Sequence, residues 1–71
     1  MIAERLQKLV EEMIAKGVRF EDAVQEFEKR FIATVLVQSD GSLTKTADTL
    51  GIHRNTLTRK IGAYKIKRHP A

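Results

Sequence analysis

The chain is 71 residues long, contains no cysteine and carries a net charge of +4. So short a sequence makes one domain with a small core and little stability to spare, and without cysteine neither disulfides nor thiolate metal sites can add to it, which leaves association with another chain. No basic segment followed by an apolar one opens the sequence and no apolar run reaches about 18 residues, so secretion and membrane insertion are not indicated and a cytosolic chain is expected.

Apolar residues at Ile2, Leu6, Leu9, Val10, Met13 and Ile14 recur at the spacing of one face of an amphipathic helix. Lys16 and Gly17 end that pattern, a cation followed by a residue able to turn left-handed, which predicts a first helix over residues 2–16. A second begins near Phe20, where Glu21 and Asp22 place negative charge at the positive end of the helix dipole. Its stripe is Phe20, Val24, Phe27, Phe31 and Val35. Over residues 31–37 (FIATVLV) the sequence is apolar nearly all round, as in a helix covered from more than one side. TVLV alone would also fit a strand, but the helical period runs in unbroken from Phe20. The carboxylate pairs Glu11 with Glu12 and Glu26 with Glu28 are too close in sequence to share a helix face, and are expected on the solvent side.

Ser39, Asp40 and Gly41 break the second helix. Ser42 is a suitable N-cap for a third over residues 43–50, which Gly51 ends. His53 holds the N-cap position of a fourth, over residues 54–64. Ala47 is small enough to let the following helix approach, and Gly51 can take the positive φ of the turn between them. Leu43, Leu50, Ile52, Leu57 and Ile61 supply the buried contacts. The other face of the last helix carries Asn55, Thr58 and Arg59, with His53, Arg54 and Thr56 at its tip, donors and cations suited to phosphates and base edges.

Charge is spread unevenly along this series. Residues 1–40 hold six Lys/Arg against eight Asp/Glu, whereas residues 41–71 hold seven against one, Asp48. A basic half joined to a mildly acidic one is the electrostatic pattern of a nucleic-acid binder, although a solvated basic tail gives the same balance.

The run GSLTKTADTLGIHRNTLTRKIGAYKI, and GIHRNTLTRKI within it, resembles the helix-turn-helix of the Fis family (factor for inversion stimulation), shared with the C-terminal domains of NtrC-type enhancer-binding activators. EDAVQEFEKRFIATVL resembles the long helix that precedes this motif, so the likeness covers roughly residues 20–66, with residues 1–17 a looser match. The resemblance implies a single all-α domain of four helices: dimerisation helices over residues 2–39, a helix-turn-helix over 42–64 and a basic tail over 65–71. The first two helices would intertwine with those of a second copy and bury Leu6, Leu9, Val10, Met13, Val24, Phe27, Phe31 and Val35. Two recognition helices would then face adjacent major-groove segments of double-stranded DNA. Inverted-repeat targets, DNA bending helped by the tail, and a role in bacterial transcription or in the nucleoid are further implications.

Carried over by position, Arg54 and Arg59 match groove-contacting cations, Thr56 and Lys60 match phosphate contacts, and Ser42 and Thr44 match contacts at the start of the preceding helix. Asn55 and Thr58 belong to the same face. His53 stands where Fis commonly has Asn, and Thr58 where Fis has a cation, which weakens that contact. Lys65 stands where the family often has Gly, so the last helix is expected to run on or fray into Lys67 and Arg68.

Other chemistry finds little support. His53 and His69 are far apart with no carboxylate spaced to join either at a metal, and no phosphate loop or nucleophile motif occurs. No enzyme, cofactor or small-molecule substrate is therefore expected, and the clustering of cations on the helix-turn-helix argues against a membrane-surface helix. Two alternatives stay open: the terminal domain of a larger activator, although a helix beginning directly after Met1 favours a small complete protein, and a helical dimer that serves protein interaction without DNA.

Overall fold

The computed structural model describes residues 1–67 and contains four helices: α1 Ile2–Ala15, α2 Phe20–Gln38, α3 Leu43–Leu50 and α4 Arg54–Tyr64. Among the described residues there is no strand, and TVLV lies within α2. The first helix stops one residue short of its expected end, with Lys16 as its cap.

All four helices are stopped by the same device. A left-handed residue follows the end, and the next amide reaches back to a carbonyl five residues earlier. The amides of Val18, Gly41, Ile52 and Ile66 donate to the carbonyls of Met13, Leu36, Ala47 and Ile61 at 3.0, 2.9, 3.1 and 3.0 Å. The left-handed residues are Gly17, Asp40, Gly51 and Lys65, with φ of 78°, 53°, 71° and 53°. At Gly51 the conformation is free of any Cβ penalty, whereas Asp40 and Lys65 adopt it against one.

The break after α2 falls on Ser39, Asp40 and Gly41 as expected, with positive φ at Asp40 and at Gly41, 79° in the latter. One expectation is corrected. The last helix does not continue into Lys67. It closes at Tyr64 because turning Lys65 left-handed seats Ile66 in the core, where it is buried beside Ile61. Arg68, named in the same expectation, and the rest of the tail to residue 71 lie outside the described residues.

The core sits where α2, α3 and α4 meet. Ile32 and Leu36 from α2, Ala47 from α3, Leu57 from α4 and Ile66 beyond it form one buried cluster, with Leu43, Leu50, Ile52, Ile61 and Tyr64 packed around it. Within the all-round apolar stretch of α2, Ile32, Val35 and Leu36 are buried, whereas Phe31 and Val37 stay exposed in the protomer. Thr46 is also fully buried, its Oγ1 without a partner among the described residues, while Thr44 two positions earlier is exposed. In contrast, α1 contributes no buried residue.

Candidate nucleic-acid interface

Both helices of the candidate interface begin with a side-chain cap. The Ser42 Oγ accepts from the Lys45 amide at 3.2 Å, and the His53 Nδ1 accepts from the Asn55 amide at 3.0 Å. Each cap uses an acceptor. The Ser42 hydroxyl hydrogen and the His53 Nε2–H are left to donate to a ligand.

The core side of α4 carries Leu57, Ile61 and Tyr64, and its outer side exposes Arg54, Asn55, Thr58 and Arg59, with Thr56 half-buried. Thr58 Oγ1 donates to the Arg54 carbonyl at 3.0 Å, so its proton is used within the helix and only its lone pairs face outward. No carboxylate among the described residues pairs with Arg54 or Arg59. Thr44 and Lys45 are exposed in the first turn of α3, and Asp48 is the sole acid between residues 41 and 67.

Lys60 behaves differently from the two arginines. Its Nζ pairs with Glu28 Oε1 on α2, and the Tyr64 hydroxyl donates to Glu28 Oε2 at 2.9 Å. Lys60, expected on phosphate, pairs with α2 in the protomer. One expectation changes: Glu28, assigned to the solvent side with Glu26, is half-buried. The reason is spacing: Glu28 lies one turn before the buried Ile32 and shares its face. Glu26 does sit in solvent, paired with Arg30 at 2.8 Å. The Lys60 ammonium, and after it the Tyr64 hydroxyl, hold the Glu28 carboxyl below the usual carboxylate range. Glu28 in return holds both Lys60 and the Tyr64 phenol above their ordinary values, chiefly by accepting their hydrogen bonds.

A second surface lies on α1 and α2. Leu6, Leu9, Val10, Val24, Phe27 and Phe31 are all exposed, the two phenylalanines by 56% and 50%. Met13 is half-buried, and Val35 is already buried within the protomer, leaving little of it for a partner. Leu9 and Met13 of α1 and Phe27, Phe31 and Val35 of α2 line an open groove of about 760 Å³. The Phe27 and Phe31 rings stand 5.4 Å apart along it. Among the described residues no group of three His, Cys, Asp or Glu is placed to hold a metal ion, and no helix is long and apolar enough to cross a membrane. His69 lies outside them.

The family model described as "Bacterial regulatory protein, Fis family" matches residues 23–64, more than half of the chain. The match starts inside α2 and ends on the last residue of α4, so it takes in both caps, the Gly51 turn and both outward arginines. No curated protein and no solved structure matches the chain. The chain belongs to the Fis family of bacterial regulatory proteins, and its α3 and α4 form a helix-turn-helix of the DNA-binding kind.

Proposed function

We propose that the protein binds double-stranded DNA as a homodimer, each protomer placing the N-terminal half of α4 in the major groove, and that it thereby regulates transcription or organises the bacterial nucleoid. The observation that carries this reading is the pair of outward guanidiniums, Arg54 and Arg59, unmatched by any carboxylate among the described residues. Arginine reads a guanine edge with two donors, and Ser42, Thr44, His53, Asn55 and Thr56 surround it with groups that suit phosphate oxygens. In this reading Thr58 contributes little and Lys60 supports α4 from behind.

The homodimer is supported by the exposed apolar faces of α1 and α2, which a chain of 71 residues has reason to cover. Two-fold symmetry would give inverted-repeat sites with half-site centres about 34 Å apart, and bending of the duplex between them belongs to the same proposal.

The test is the salt dependence of binding to a duplex recovered by selection from a random pool. Affinity should fall steeply as salt rises, and an Arg54→Ala, Arg59→Ala double variant should bind more weakly with a shallower slope, by about 0.9 for each phosphate that the missing guanidiniums would have neutralised. A native protein without salt-dependent duplex binding would refute the reading. A double variant indistinguishable from the native chain would move the contact away from these arginines.

A further inference from the structure

One carboxylate on α2 holds two groups on α4. Glu28 gives one oxygen to Lys60 and the other to Tyr64, residues four apart and so stacked along the side of α4 that faces α2. The side chains of Lys60 and Glu28 are 34% and 29% exposed, so solvent weakens the pair. Geometry counts for more than strength here. Two contacts from one carboxylate resist both rotation of α4 about its axis and sliding along α2.

The charge pattern of α4 points the same way. Arg54 and Arg59 have no acidic partner among the described residues, whereas Lys60, adjacent to Arg59, is matched. A carboxylate and a phosphate offer an ammonium the same kind of anionic oxygen, so Glu28 competes with a nucleic-acid backbone for this one cation. Glu28 and Lys60 also wall a groove of about 280 Å³ together with Phe27 and Phe31. A single turn of α2 thus carries the exposed aromatic pair on one side and the hold on α4 on the other.

We propose that Glu28 is a positioning residue of the DNA-reading helix: by gripping Lys60 and Tyr64 from α2, it fixes the seat of α4 and keeps the Lys60 ammonium off the phosphates. This rests on the DNA reading above. Four proteins test it, the native chain, Glu28→Gln, Lys60→Gln and the double variant, each measured for the slope of log affinity against log salt on the selected duplex and a scrambled one. Helicity and melting are followed in parallel.

Lys60→Gln alone should leave the slope at its native value. Glu28→Gln should steepen it by about 0.9 per protomer as Lys60 turns outward, and the double variant should return it. Selectivity for the selected duplex over the scrambled one should fall in Glu28→Gln while binding to the scrambled duplex rises. A slope flattened by about 0.9 per protomer in Lys60→Gln would place Lys60 on a phosphate already and overturn the proposal. An unchanged slope in a folded Glu28→Gln would overturn it as well. Should that variant not fold, Lys60→Gln in the otherwise native chain still decides. Absence of salt-dependent binding by the native chain would instead refute the DNA reading itself, and this inference with it.

Discussion

Glu28 ties stability to pH through three groups at once. Its own pKa is lowered in the folded chain, so its contribution is present above the unfolded carboxylate value and is lost as pH falls through the folded one. Lys60 and Tyr64 are raised, so theirs is present below their unfolded values and is lost as pH rises through the folded ones. Glutamine removes the charge and leaves one acceptor oxygen where the carboxylate has two. The difference in Tm between the native chain and Glu28→Gln, followed by circular dichroism, should be largest near neutral pH and should shrink below about pH 4 and above about pH 10. A constant difference across that range would mean that packing, and not charge, holds the cluster. Sequence reasoning could not find this group, because Glu28 and Lys60 are 32 residues apart and neither has a local pattern that names the other. The caps were legible for the opposite reason. Ser42 and His53 act within three residues, where chain direction and residue type decide the contact.

Helices show the same division between local and distant causes. Their existence and order follow from the 3.6-residue stripes and from Gly17 and Gly51, which mark two of the ends openly. The end of α2 is marked too, by the run Ser39, Asp40 and Gly41, whereas the turn at Lys65 carries no such mark and is explained by the core, since Ile66 folds back to be buried. At Lys65 a side chain sits at φ 53°, where glycine would carry no Cβ penalty. Lys65→Gly should therefore stabilise the fold by about 0.5–1 kcal/mol, while Lys65→Ala, which keeps the Cβ, should not. Thermal melts of both variants separate the two effects, because about 1 kcal/mol shifts Tm by roughly 4–8 °C in a domain of this size. Equal melting of the two would place the cost of this turn elsewhere than in the backbone.

For the whole molecule, the question is what covers α1, which has no fully buried residue in its own protomer and carries Leu6 and Leu9 at 49% and 48% exposure. The protomer's buried cluster draws on α2, α3, α4 and Ile66, so the N-terminal apolar stripe is only partly covered until something else meets it. A second copy suits it because the groove between α1 and α2 is lined by Leu9 and Met13 on one wall and by Phe27, Phe31 and Val35 on the other, with Glu26, Arg30, Thr34 and Gln38 beside them. If that copy is present, stability is inseparable from protein concentration. The native chain should sediment as a dimer, and its Tm should rise with concentration. Phe31→Asp should yield a monomer, because half of this side chain is already exposed in the protomer and the charge would fall on the interface. The same variant should lose most of its affinity for a paired site while leaving Arg54 and Arg59 untouched, since each recognition helix would then bind without the other. A native monomer whose melting ignores concentration would remove the homodimer from the proposed function and leave α1 to a different partner.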